Sequence, residues 1–288
     1  MFVESLNAVS TGITALDLAD KTLPTFTRLF KRIRDGEIKI AILGASGTGK
    51  STLGKLLSGQ SSRELLKPYE ESIVVEDNQL DSKNVGKVIV VPGQERLHET
   101  WDGLLREMIQ GKIQLMINTV AWGYHSFGST SYRDFLQDQP YQSGMTESEF
   151  LKVYVKQRRE REQAFLEKIV NALALAEIHK QKRKKLFLIT LVTKQDLWWH
   201  DRQCVKAHYQ QGQYEQQIQI LRNKFGTANF FHEYCSASLI IRNFMSGSRE
   251  ILLPNASGYD EEHKLANLDQ FFKVIESFGR VSLNKKED

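Results

Sequence analysis

The chain has little that could tie it together covalently. Its two cysteines, Cys204 and Cys235, stand in no metal-ligand spacing and read as reduced thiols. No His and Cys cluster supports a metal centre of the protein's own. No Ser, His and Asp set suggests a nucleophilic triad. No apolar run approaches the length of a membrane span. The opening Met1-Phe-Val-Glu-Ser lacks the basic stretch and apolar core of a signal peptide. These absences predict a cytoplasmic chain. The net charge of +4 is too small to argue for a nucleic-acid partner, so none is expected. Repeats and low-complexity segments are missing too. A hydrophobic content of 41% and a charged content of 26% suit a globular chain, and 288 residues suit one large domain or one domain with appendages.

What is present is concentrated in Gly44-Ala-Ser-Gly-Thr-Gly-Lys-Ser51. The run fills every fixed position of the phosphate-binding loop G-x-x-x-x-G-K-[ST]. It follows the apolar run 38–43 and precedes the helix-like stretch 51–57, which is the context the motif requires. Glycines let the backbone wrap a phosphate and aim several N–H groups at it. The helix N-terminus adds partial positive charge. Lys50 is expected over the β- and γ-phosphates, and the Ser51 hydroxyl on Mg²⁺.

Three further segments follow in order. Val90-Val-Pro-Gly-Gln-Glu95 ends a strand-like run; Gly93 can set its N–H near a γ-phosphate, and Gln94 can orient an attacking water. Thr193-Lys-Gln-Asp196 follows the apolar run 186–192. A carboxylate there can accept from the N1–H and 2-amino group of guanine, a donor pair that adenine lacks. Alone, the segment suits a helix cap as well. Ser236-Ala-Ser238 follows the run 230–235 and can offer a backbone N–H to guanine O6; alone, it reads as an ordinary loop.

Across about residues 37–278 the chain thereby resembles the Ras-like and Arf-like GTP-binding proteins of the translation-factor-related GTPase superfamily. Gly44–Ser51 carries the resemblance first. Pro92-Gly-Gln-Glu95 stands in the place of D-x-x-G-Q-E, Thr193-Lys-Gln-Asp196 in that of N-K-x-D, and Ser236-Ala-Ser238 in that of S-A-K. The resemblance implies an α/β fold of three layers: a mostly parallel six-stranded sheet with one antiparallel strand and helices on both faces. It implies GTP or GDP bound with Mg²⁺, and switching between two states by hydrolysis. The nucleotide would be held by Gly44, Ala45, Ser46, Gly47, Thr48, Gly49, Lys50, Ser51, Thr52, Gly93, Thr193, Lys194, Asp196, Ser236, Ala237 and Ser238. Gln94 and Lys50 would serve hydrolysis, and Ser51 and Ser72 would hold the metal. Two positions depart from the family. The acid that holds a Mg²⁺ water would fall at Val90, which cannot do so. No threonine lies between Leu53 and Glu99, so Ser72 is the stand-in for the first switch. No arginine stands in the few residues before Ser72 to act as an internal finger.

Strand signals fall at 38–43, 73–76, 86–91, 113–120, 186–192 and 230–235. Helical signals fall at 50–58, about 95–110, 147–181, about 213–224 and 264–278. The alternation predicts a mostly parallel sheet covered on both faces. Only the pair within 73–91 is expected to be antiparallel, because its connection is too short for a crossover. The expected division is an N-terminal helical extension at 1–36, a GTPase domain at 37–280 with an insertion at about 122–146, and a short tail at 281–288. In the extension, Phe26, Leu29, Phe30 and Ile33 make an apolar face opposite Arg28, Lys31, Arg32 and Arg34. Residues 25–35 either pack with a solvated basic face or meet a second copy, a partner or an anionic membrane surface. The charged helix at 147–181 reads as a solvated face. The aromatic insertion reads as a partner or oligomer surface, a lid over the nucleotide, or a loop packed on its own domain. Three functions stay open. One is a slow GTPase switch with a protein effector. Another is a GTP-binding scaffold that hydrolyses poorly. The last is an ATP-using phosphotransferase with Asp77 as the metal-holding acid, which leaves 193–196 and 236–238 unexplained.

Overall fold

Six strands form one sheet: β1 (Lys39–Gly44), β2 (Glu76–Gln79), β3 (Lys87–Val90), β4 (Leu115–Val120), β5 (Leu186–Val192) and β6 (Phe230–Ser236). The computed structural model describes residues 24–36, 38–59, 76–79, 87–91, 107, 113, 115–175 and 185–283. The strand order is β2-β3-β1-β4-β5-β6, and every pair is parallel except β2 with β3. A second sheet has two strands, β7 (Phe244–Met245) and β8 (Ile251–Leu253). The helices are α1 (Pro24–Arg34), α2 (Lys50–Leu57), α3 (Tyr132–Phe135), α4 (Glu147–Leu175), α5 (Gln195–Trp198), α6 (Arg202–Gln211), α7 (Gln213–Phe225) and α8 (Glu261–Leu283).

Parallel strands need cover on both faces, so their side chains are apolar at odd and even positions alike. Ile40 and Ile42 of β1 join Val88, Leu115, Ile117 and Ile189 on one face, under α1, α2 and α8. Ala41 and Leu43 join Ile89, Met116 and Leu188 on the other, under α4, α6 and α7. The expected three-layer α/β fold is the one found. In α1, Phe26, Leu29 and Ile33 are buried in the first core. The Phe26 ring lies 4.9 Å from Phe272 of α8, and Arg28 pairs with Glu276 at 3.3 Å. The apolar face of α1 is thus covered by the domain itself.

Some elements differ from expectation, among them the four-residue helices α3 and α5, which gave no signal. The edge strand expected at 73–76 is described from Glu76 and runs on to Gln79 through Asp77 and Asn78, weak strand formers. The antiparallel ladder from Glu76↔Val90 to Gln79↔Lys87 decides its extent. α6 was not expected, because only Val205 and Tyr209 anchor it. The β7–β8 hairpin, too short for a periodic signal, was also missed. The signal at 95–110 lies outside the described residues except for Glu107, and α4 is described to Leu175. Among the described residues no helix is long and apolar enough to cross a membrane.

The insertion at 122–146 requires a correction. Its rings do not offer a partner surface. Trp122, Tyr124, Phe127 and Tyr141 are buried, and they join the core over α4. Phe127 stacks on Tyr154 with ring centroids 4.3 Å apart and also meets Phe135, Phe150 and Phe244. The insertion packs on its own domain, where burial of these rings offsets the entropy of ordering a long loop. Truncating Phe127 to alanine is therefore expected to cost about 3–5 kcal/mol, as for other buried phenylalanines. Urea unfolding measures this. A loss below about 0.5 kcal/mol, the range of surface substitutions, would show that the insertion is not part of the core.

Candidate functional site

β1 ends at Gly44, whose φ is +136°. A Cβ there would fall 2.3 Å from the Thr119 carbonyl oxygen of β4, so only glycine lets the chain turn this close to its neighbour. The loop then curls back. Thr48 Oγ1 donates to Ala45 O at 2.9 Å and lies 2.7 Å from Thr119 Oγ1. Lys50, at the start of α2, donates from Nζ to Ala45 O at 2.9 Å. Ser51 and Thr52 follow in the first turn of α2, partly exposed. The loop is thus a closed ring of main chain with its lysine folded across it, at the N-terminus of a helix.

The turn after β5 is fastened to this ring. The buried Thr193 donates its hydroxyl to Thr48 O at 2.7 Å, and its N–H to Val120 O at 2.7 Å. Lys194 has a left-handed backbone, φ +55°, which throws its side chain back over the loop. Its Nζ donates to Gly47 O at 2.9 Å, to Ser126 Oγ at 3.1 Å and to Tyr124 O. Gly47 O also accepts from Ser126 N–H at 3.1 Å.

Asp196 is 1% exposed. Its Oδ1 accepts the Ser238 hydroxyl, and its Oδ2 accepts the Arg242 N–H at 3.0 Å. Burial raises its pKa, while those hydrogen bonds and Lys194 act the other way. Ala237 N–H donates to Val192 O at 3.1 Å, and Ser238 N–H to the Tyr259 hydroxyl at 3.2 Å. Ser236 lies apart from Asp196; its Oγ accepts from Gln195 Nε2 at 3.1 Å. The structure thus brings Gly44 through Thr52 together with Thr193 and Lys194, and joins Asp196 to Ser238. Ser72, Gly93 and Gln94 lie outside the described residues. Val90 is buried in β3 opposite Ile42 and Glu76.

Sequence reasoning missed the outer wall of this site. Glu162, in the middle of the charged helix α4, is 1% exposed. Its carboxylate accepts from Ala121 N–H at 2.7 Å, Gly123 N–H at 3.3 Å, His125 Nε2 at 2.8 Å and the Tyr209 hydroxyl at 2.6 Å. Burial pushes the Glu162 pKa up, but the His125, Tyr209 and Ala121 donors outweigh it and the net shift is downward. Burial lowers the His125 pKa more than Glu162 raises it, so a neutral imidazole donates to an ionised carboxylate. Loop 121–126, which carries Tyr124 and Ser126 to Lys194, is held by this side chain together with the Tyr209 hydroxyl, which accepts from Trp122 N–H at 3.1 Å, and the Tyr154 hydroxyl, which donates to His125 O at 3.0 Å. Its neighbours Arg158, Arg159 and Arg161 hid it in the sequence. The signal that could have found it was its place at helical spacing among Val155, Leu166 and Ile169, which are buried in the same core.

A family model described as ABC transporter matches residues 30–247, most of the chain. The chain belongs to that family. At the level shared by the match and the loop geometry, it is a P-loop nucleotide-binding protein. No curated protein matches it. Among solved structures it is similar to the mammalian SRP receptor, with 14% identity over 83% of this chain and 99% of that one, TM-score 0.38. It is similar to Toc33 from Arabidopsis thaliana, with 12% identity over 93% of each chain, TM-score 0.43. A Sar1-type small GTPase from Encephalitozoon cuniculi shows 14% identity over 94% of this chain and 93% of that one, TM-score 0.39.

The charge state of Lys194 gives the site a pH signature. Burial, and after it the Arg242 guanidinium, lower its pKa to about 7, while Asp196 and Glu162 pull it back up. An unfolded lysine keeps its proton to about pH 10.4. Between roughly pH 7 and 10 the unfolded chain holds a proton that the folded chain has released, so this group's contribution to stability grows with pH. Urea unfolding across that range is expected to show a rising component that Lys194→Met removes. Identical slopes for the two proteins would place the amine in water.

Proposed function

We propose that this P-loop protein binds guanine nucleotides and hydrolyses GTP slowly, as a switch read by a protein effector. One observation carries the reading: Thr193 and Lys194 tie the turn after β5 to Thr48 O and Gly47 O of the phosphate loop. That tie makes the loop for phosphates and the carboxylate for a base, Asp196, parts of one rigid unit. It suits a ligand with both groups at a set separation. In the bound state, phosphate oxygens would replace Ala45 O as the partner of Lys50 Nζ, and loop N–H groups would complete the cradle.

Mg²⁺ fits the described residues in a limited way. Ser51 can supply one oxygen, and Val90 supplies none. The phosphates and water would complete the octahedron, which suits an ion that keeps several waters. When bound, it would neutralise charge that builds up during phosphoryl transfer. Ser72 as a second ligand and Gln94 as the water-orienting group remain part of the proposal. With no arginine in the few residues before Ser72 to act as a finger, intrinsic turnover is expected far below once per second, lower by about 10³–10⁵-fold than an assisted site. Residues 1–36 and 281–288 are proposed as appendages to the 37–280 unit, and a cytoplasmic site of action goes with the same reading.

A second reading has its own support. The family match favours an ATP-using P-loop protein, and the Asp196 carboxylate is already bonded within the chain. A competition assay with GTP, GDP, ATP and ADP separates the two. The guanine reading expects Asp196→Ala to lose guanine nucleotides by about 1–3 kcal/mol, since buried donors on the base lose their acceptor. It expects Asp196→Asn to shift preference toward xanthine nucleotides, and Lys50→Ala to abolish tight binding of any of them. Equal binding of ATP and GTP by the unaltered chain would decide for the second reading. Binding of GTP without turnover in Mg²⁺ would leave a scaffold.

A further inference from the structure

The groups that would read a base are satisfied by the chain itself. Asp196 Oδ2 holds the main-chain N–H of Arg242 at 3.0 Å, and Oδ1 holds the Ser238 hydroxyl. The Asp196 carbonyl takes Ala256 N–H at 2.6 Å, and Ala237 N–H is spent on Val192 O. Beyond Arg242 the chain enters the β7–β8 hairpin. Phe244 there packs against Tyr124 and Phe127 and lies 5.9 Å from Lys194 Nζ. At the hairpin tip, Gly247 N–H donates to Thr130 O at 2.8 Å. A Cβ on Gly247 would fall 2.1 Å from that oxygen, so the tip is seated against main chain. Residues 239–247 therefore form a strap, pinned on Asp196 at one end and on the insertion at the other.

We propose that this strap is an internal competitor for the base, and that Arg242 N–H is the donor which guanine displaces. The proposal rests on the guanine reading above. Its chemistry is an exchange of like for like. One amide N–H on a carboxylate oxygen gives way to N–H groups of the base, and the buried carboxylate is satisfied in both states. Such an exchange avoids the cost of an unpaired buried acceptor, which would otherwise lock the site in one state. With the strap seated, Asp196 is closed to any ligand. The apparent affinity is then the intrinsic affinity reduced by the fraction of molecules with the strap lifted. Reseating of the strap would also drive nucleotide release. The insertion gains a role from this: Tyr124, Phe127 and Thr130 set how firmly the strap is held.

Amide hydrogen exchange on the full chain, with and without GDP and Mg²⁺, tests the proposal. GDP is expected to speed exchange at Arg242 and Gly247 while slowing it at 46–51. Gly247→Val, outside the binding machinery, should unseat the tip and tighten GDP by about tenfold if some nine-tenths of molecules hold the strap closed. If GDP binds selectively while the Arg242 amide stays as protected as before, the strap proposal is overturned and the base reading stands. If GDP and ADP bind alike, or Asp196→Ala keeps its guanine preference, the base reading itself fails. The exchange measurement on the unaltered chain decides the matter even if Gly247→Val does not fold.

Discussion

One ammonium group holds three parts of this molecule to one another. Lys194 Nζ reaches Gly47 O of the phosphate loop, and Tyr124 O and Ser126 Oγ of the insertion, while its own backbone lies in the turn after β5. A lysine has three N–H donors and no acceptor, so three oxygens are what it can satisfy. None of those oxygens belongs to a strand ladder. Beside the ammonium, the Thr193 hydroxyl on Thr48 O and the Ser126 N–H on Gly47 O join the same parts. Burial opposes that charge and brings the pKa to about 7. The same side chain that organises the site is thus sensitive to its surroundings.

The wall behind Lys194 is built on a second buried charge. The Glu162 carboxylate holds loop 121–125 through main-chain and side-chain donors. An ion this deep is stable only when its lone pairs are filled, and here they are. The consequence is structural continuity from the middle of α4 to Gly47. A movement of α4 would be felt at the phosphate loop through His125 and Ser126, without passing through the sheet. The aromatic stack of Phe127, Phe150 and Tyr154 stiffens the same route.

The end proposed to read a base contrasts with the phosphate end. The loop at 44–51 is formed and clamped, with its helix N-terminus in place. The carboxylate of Asp196 is placed beside it but turned to the chain's own donors. The family match and the proposed guanine reading agree at the level of fold, because the phosphate loop is indifferent to the base. In the proposed reading the choice between bases would fall to Asp196 and the residues bonded to it, Ser238 and Arg242. Phe244, just beyond them, packs the hairpin onto the insertion.

The phosphate loop was legible from sequence because its chemistry is local. Glycine spacing, a lysine and a hydroxyl at a strand-to-helix junction require no knowledge of distant residues. The sheet was legible for a similar reason: β1, β4 and β5 are largely apolar runs. Thr193 to Asp196 were legible as a turn, though their partners were not. What tertiary structure alone decided is where polar groups find each other. Glu162 looked like one more charge on a solvated helix, until the fold placed Ala121, His125 and Tyr209 around it. The rings of 122–146 looked like a surface, until α4 covered them. Arg242 carried no signal at all, because the group that matters is its backbone N–H. Every residue but proline has one, so only the path of the chain could set it against Asp196.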